Sequence, residues 1–204
     1  MRQRVVVVRL AGALVALLSV FGVGQASSVR SANLIEIVDA AQVAFVGTCT
    51  GIEPGVNSQT GSPEVLYTFR VEQYLKGGNS DTVFSFRQYG PVWDKTKPQY
   101  HKGQRVVLFL YGASRLGYTS AVARQQGSFD IRRSGDEQGV INAVENRDLF
   151  RGVAAQTAQQ SFQLNAAESQ VIRQGGAIPI ELFTSLVEKI RRAPTPTRQR
   201  FYLK

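Results

Sequence analysis

Between residues 65 and 72 the chain alternates. Val65, Tyr67, Phe69 and Val71 fall on one side of an extended backbone, and Leu66, Thr68, Arg70 and Glu72 on the other. Successive strand residues point to opposite faces. A period of two therefore predicts a strand over 65–74 with Tyr67 and Phe69 in a core. The beat slips near Glu72-Gln73, after which Tyr74 and Leu75 stand together before Lys76-Gly77-Gly78. A slip of this kind predicts a β-bulge, which bends a strand and lets it serve two parts of a curved sheet.

The same reading predicts strands over 43–50, 82–88, 104–111, 118–123 and 127–132, separated by segments rich in Gly, Pro, Asn and Ser. RVVLFLY, within 104–111, is almost wholly apolar and is expected to be the most buried strand. No helical crossover pattern separates these strands. The expected architecture is mainly β: a small closed antiparallel barrel of five to six strands with a C-terminal helix packed on it. Ahead of the barrel, Leu34-Ile35-Glu36-Ile37-Val38 predicts a single helical turn. Behind it, 134–178 reads as a polar connector, Ala- and Gln-rich over 152–174 and weakly periodic. Ile180, Phe183, Leu186, Val187 and Ile190 then recur at helical spacing and predict an amphipathic helix over 179–193. Pro179 and Glu181 at its start and Lys189, Arg191 and Arg192 at its end agree with helix-end chemistry. Residues 194–204 read as a basic flexible tail.

Composition changes the picture at the two ends. Arg2, Arg4 and Arg9, an apolar run over 10–23 and Gly24-Gln25-Ala26 follow the order of parts in a secretory signal peptide, here 1–26. The apolar run is short of the ~20 residues a membrane-spanning helix needs. The expectation is cleavage after Ala26 and a secreted or periplasmic protein without a transmembrane segment. The formal net charge of +9 comes from the ends, because 27–190 holds sixteen basic and fifteen acidic residues. The tail over 191–204 holds five basic residues and no acid. A nearly neutral body predicts no specific nucleic-acid binding, and basicity in a tail is at most an electrostatic tether. The single cysteine, Cys49, cannot form an intramolecular disulfide; it stands in register with Val43 and Phe45, as a buried, inert thiol would.

Signs of catalysis are few. His101 is the only histidine and stands beside Tyr100 and Lys102 in a polar loop. A zinc site would need further ligands of a kind this chain lacks nearby. No serine occupies a G-x-S-x-G context, and Lys76-Gly77-Gly78 lacks the flanks of a phosphate loop. Asp136-Glu137, Glu145 and Asp148 stand among Arg132, Arg133, Arg147 and Arg151 and read as solvated surface pairs. The expectation is no enzyme, no metal and no cofactor. The loop YGPVWDKTKPQYHKG, 89–103, mixes Tyr89, Trp93 and Tyr100 with Lys95, Lys97 and Lys102. That mixture suits contact with a protein, glycan or polyanion, and it equally suits an aromatic cap on a barrel end. Trp93 and Tyr100 are the contact candidates.

Taken in order, AQVAFVGTCTGIE, VLYTFRVEQYLKG, TVFSFRQYG, KGQRVVLFLY and GSFDI resemble the netrin-like domain, the OB-type barrel of tissue inhibitors of metalloproteinases. The chain looks most like secreted bacterial versions of that domain. The match covers 41–132, and the strand ending in Leu75-Lys76-Gly77 is its most specific part. The resemblance implies a five-stranded Greek-key OB barrel, here over 27–133, and an exported or cell-envelope protein as partner. An extracellular metalloprotease is the concrete candidate. In the animal inhibitors an N-terminal Cys-x-Cys chelates the protease's zinc and disulfides pin it to the barrel. Here Ser27 and Ser28 take that place, and no cysteine precedes Cys49 to pin them. The function expected is a secreted, non-enzymatic protein-binding module. The other reading is a cell-envelope protein tethered to acidic glycan, lipid or nucleic acid by its basic C-terminal tail.

Overall fold

Extended, alternating segments pair here into one antiparallel sheet of seven strands, in the order β3-β2-β1-β4-β5-β6-β7. The strands are β1 (Val43–Val56), β2 (Pro63–Lys76), β3 (Val83–Tyr89), β4 (Arg105–Leu110), β5 (Ser128–Ser134), β6 (Glu137–Asn142) and β7 (Ile178–Pro179). The structure, a computed structural model, describes residues 30–78, 80–90, 99–134 and 137–202. The ladder order is open, with β3 at one edge and β7 at the other. Residues 118–123, expected as a strand, instead make isolated bridges: Tyr118 runs parallel beside Arg87 of β3, and Ala121 lies opposite Leu110 of β4.

The slip read near Glu72 is a register shift. Val46 pairs with Gln73 and Gly47 with Val71, so Glu72 is left over. Further shifts fall between Ala44 and Phe45 and between Cys49 and Gly51. Each extra residue adds local bend and twist. The first half of β1 lies between β2 and β4, and the second half pairs with β2 alone.

Two cores result. Phe45, Cys49, Tyr67, Phe69, Phe86, Val106, Leu108 and Leu110 form one cluster on one side of β1–β4. Ala44, Val46, Val107, Phe109 and Phe129 face the opposite way, onto helices. β4 alternates between the two cores, which is why its apolar residues are unbroken: 106–110 are all buried.

Among the described residues five helices follow the local signals unevenly. They are α1 (Leu34–Ala40), α2 (Gln156–Ser161), α3 (Ala166–Gln174), α4 (Ile180–Arg192) and α5 (Thr195–Gln199). The same five apolar residues that predict α4 are its buried ones, and Phe183 packs against Phe129 with ring centroids 4.9 Å apart. Pro179 sits just before the first turn rather than within it. None is long and apolar enough to cross a membrane.

The Leu75-Lys76-Gly77 run gains a physical account. Leu75 is buried in the second core. The Lys76 ammonium donates to the carbonyls of Val38 and Asp39 at 2.7 and 3.1 Å, capping the free C-terminal end of α1. Gly77 has φ +61°, and a Cβ there would lie 2.0 Å from the carbonyl oxygen of Gln42, so a side chain is excluded twice over.

The stretch read as a polar connector, 134–178, is folded: it holds β6, α2, α3 and β7. Its apolar residues stand singly or in short groups at irregular intervals, so no period announces them, yet Val140, Leu149, Val153, Ala158 and Phe162 are at most 2 % exposed. The tail read as flexible is docked over 195–202. Arg198 pairs with Asp39, whose second carboxylate oxygen accepts the Tyr202 hydroxyl at 2.5 Å.

Candidate partner-binding surface

Among the residues singled out as contacts, Ser27, Ser28 and Trp93 lie outside the described residues. Tyr100 is described and is a correction: it is 1 % exposed and belongs to the core. Its ring meets Tyr67 and Phe69 edge-on at 5.0 and 5.4 Å. Its hydroxyl accepts from the Gln99 side-chain amide at 2.6 Å. Burial pushes the Tyr100 phenol far above its ordinary value and the Tyr67 phenol upward as well. The polar neighbours of Tyr100 along the chain point outward while its ring closes one end of the first core. The interior is thus filled by aromatic side chains, and contact chemistry has to sit on the outside.

No group of three or more His, Cys, Asp or Glu side chains that could hold a metal occurs among the described residues. His101 is exposed, with its backbone N–H donating to the Gln104 side chain at 2.9 Å. Cys49 is 1 % exposed, and burial raises its thiol pKa, which lowers the thiolate fraction and its reactivity.

The lead-in to α1 is held without a disulfide. Asn33, fully buried, caps α1: its side chain accepts from the Glu36 N–H at 2.9 Å, and the Glu36 carboxylate accepts from the Asn33 N–H at 3.0 Å. The Asn33 amide also donates to the Phe201 carbonyl at 2.7 Å. The Ala32 N–H donates to the side chain of buried Gln126 at 2.8 Å, and the Leu34 N–H to the Leu149 carbonyl at 2.8 Å. Gln126 closes a run in which Ala123, Arg124 and Gln125 all take positive φ, at 52°, 51° and 80°. Non-glycine residues there cost roughly 1–2 kcal/mol each. The strained turn is held in place by what its side chains bind. An Asn three residues before a Glu ahead of an apolar run was a legible sign of the cap; the long-range bonds had none.

Exposed apolar side chains gather around β3. Val56, Val83, Tyr89, Tyr111, Leu116 and Val144 are the large exposed ones among the described residues, and all but Val144 lie on β3, at the end of β1 or on the turn after β4. Val83, Ser85, Arg87 and Tyr89 form the outward face of β3, opposite Arg70, Thr68, Leu66 and Glu64 of β2. Arg87 pairs with Glu64 at 3.3 Å and is half exposed. The β1–β2 turn and the turn after β4 converge here, so that Val56, Asn57, Arg87, Arg115 and Leu116 line one hollow of about 320 Å³. A second cleft, about 410 Å³, separates Phe84–Arg87 from Leu110–Ala113. Strict alternation in VFSFRQY was the signal for this face.

The basic tail offers less free charge than its composition implies. Arg191 and Arg192 pair with Glu188, and Arg198 with Asp39. Comparison with protein-family models, curated proteins and solved structures finds no match to this chain.

Proposed function

We propose that this chain is an exported, non-enzymatic binding module built on a netrin-like, OB-type barrel, and that β3 with its two flanking turns is the face that meets its partner. The observation that carries the reading is the concentration of exposed Val, Tyr, Leu and Arg on that one face. Interface centres favour such residues, which bury apolar area and hydrogen-bond at the rim. The barrel reading is supported by segment 118–121 between β3 and β4: Thr119 N–H donates to the Arg87 carbonyl at 2.9 Å, and Tyr111 N–H to the Ser120 carbonyl at 3.1 Å. The face and turns concerned are those on which OB barrels carry ligands. An extracellular metalloprotease is the candidate partner. It draws support from the lead-in, where buried hydrogen bonds from Ala32 onward replace the missing covalent pin. Ordering a segment costs about 1–2 kcal/mol per residue, and the pin confines that cost to the few residues before Ala32.

The test is a pull-down from the host's secreted and envelope proteins at low and moderate salt, with wild type and a Val56→Asp/Leu116→Asp variant of equal melting temperature. The expected result is a protein retained at both salts by wild type and lost from the variant. A zinc protease in that fraction would then be assayed for inhibition. Retention by both proteins alike would refute the assigned face. Retention that is broad and lost with salt would favour tethering by the basic residues, a reading that the ion pairs of Arg191, Arg192 and Arg198 weaken.

A further inference from the structure

The two edges of the sheet are finished differently. At one, β7 is two residues long, holds Pro179 and passes at once into α4. A proline in an edge strand withholds a donor and discourages a further strand. At the other, β3 runs over Val83–Tyr89 without a proline or a lysine. The Val71 N–H donates to the Thr82 carbonyl at 2.7 Å and the Gly90 N–H to the Pro63 carbonyl at 3.1 Å, and the β2–β3 register runs between them without a shift. Even-numbered residues of β3 therefore bond β2, while Val83, Ser85 and Arg87 turn their N–H and C=O groups to the outer edge. The Thr119 N–H, donating to the Arg87 carbonyl at 2.9 Å, agrees with this. The bridge of Arg87 to Tyr118 is the one pairing on this edge among the described residues, so the half that holds Val83 and Ser85 is open.

The cleft of about 410 Å³ lies against this open half. Phe84, Ser85 and Phe86 line its near side, and Leu110, Gly112 and Gly117 stand across from them. The first core is incompletely covered here. Val43 and Phe84 pack against it and line the cleft, yet both are only partly buried. Open backbone groups and uncovered core side chains at one place suit the same occupant, a strand whose side chains alternate between core and solvent. We infer that an extended segment of the partner protein, apolar at every second position, adds to β3 along 82–86 and sets its apolar side chains on Val43 and Phe84. A second copy of this chain would bring its own sheet to the edge, where Leu110–Ala113 stand in its way across the cleft; a single extended chain passes between. The inference rests on the reading of β3 as the partner face and names how the partner is held there.

The probes are short labelled peptides with Val, Leu or Phe at every second position and Thr or Glu between, each made also with its backbone nitrogens methylated. Fluorescence anisotropy with the full chain reports binding, and amide hydrogen exchange reports β3. The expected result is that at least one unmethylated peptide binds, that methylation weakens it about tenfold or more, and that exchange at Val83 and Ser85 slows. Val83→Pro removes an outward donor at the first residue of an edge strand, where proline is tolerated, and should weaken the peptide about tenfold at an unchanged melting temperature. The inference is overturned if no peptide binds at millimolar concentration, if the methylated peptides bind as well, or if exchange at Val83 and Ser85 does not move. A mass that doubles in sedimentation and returns to the monomer in Val83→Pro would overturn it in favour of a second copy. In the pull-down, a partner lost from Val56→Asp/Leu116→Asp but kept by Val83→Pro would leave the partner face standing and remove strand addition alone; loss from both supports it.

Discussion

Truncating Asn33 to alanine should be among the costliest single polar changes in this chain. The side chain is fully buried and serves one local and one distant partner, the Glu36 N–H at 2.9 Å and the Phe201 carbonyl at 2.7 Å. Loss of a helix cap typically costs about 1 kcal/mol. Leaving a carbonyl unpaired in a buried setting costs about 1–3 kcal/mol more. The expected total is about 2–4 kcal/mol, against a total stability of about 5–15 kcal/mol for a domain. Asn33→Ser separates the two terms: its hydroxyl can still cap α1 but cannot reach the tail, so only the second loss of about 1–3 kcal/mol remains. Urea unfolding followed by circular dichroism measures both variants, and hydrogen exchange over 195–202 reports the tail directly. Both variants should speed exchange there. An Asn33→Ala variant within about 0.5 kcal/mol of wild type, the usual effect of a neutral surface change, would refute the reasoning. So would unchanged exchange in the tail, because the anchor would then not join the two ends of the chain.

Three further outcomes are expected. Gly152→Ala places a Cβ 2.2 Å from the Phe201 carbonyl oxygen and 2.5 Å from Asn33 Nδ2. It should destabilise by about 1–3 kcal/mol, with less than additive effect alongside Asn33→Ala in a double-mutant cycle. Glu168 is fully buried; burial alone would raise its carboxyl, but bonds from Lys189, Ser185 and the Asn165 N–H outweigh that and hold it below its ordinary 4.5. A depressed carboxyl stabilises the fold above its unfolded value and loses that contribution as pH falls through the folded one. Melting temperature should therefore fall on acidification below 4.5. Glu168→Gln, which removes the charge paired with Lys189 while leaving that ammonium its bond to the Gln163 carbonyl, should cost about 1.5–3 kcal/mol at neutral pH and flatten that slope, and an unchanged slope would count against it. At the alkaline end, burial and the bond to Asp39 push the Tyr202 phenol up to about 12. A raised phenol contributes fully below its ordinary 10.0 and less as pH rises towards 12, so exchange over 195–202 should accelerate across that window in wild type and not in Tyr202→Phe.

What the sequence by itself determined is local and periodic. Alternation placed the first part of β1, β2 and β3, an unbroken apolar run placed β4, and the pattern assigned Tyr67, Phe69 and Cys49 to a core and located a register shift at Glu72; residues 51–56, Gly- and Pro-bearing, extend β1 beyond the strand read over 43–50. Helical spacing picked out every buried residue of α4. These succeed because period two and period 3.6 are properties of the backbone that a few neighbours reveal. Tertiary structure decided the rest. The ring of Tyr100 turned inward because the first core has an end to close, which no window of neighbouring residues contains. The stretch 134–178 folded because its scattered apolar residues found one shared core. The tail docked through Asp39 and Asn33, which stand 159 and 168 residues from their partners Arg198 and Phe201. The candidate sites belong to this second kind. Alternation along β3 told which residues face outward, but only the approach of two turns made them a surface.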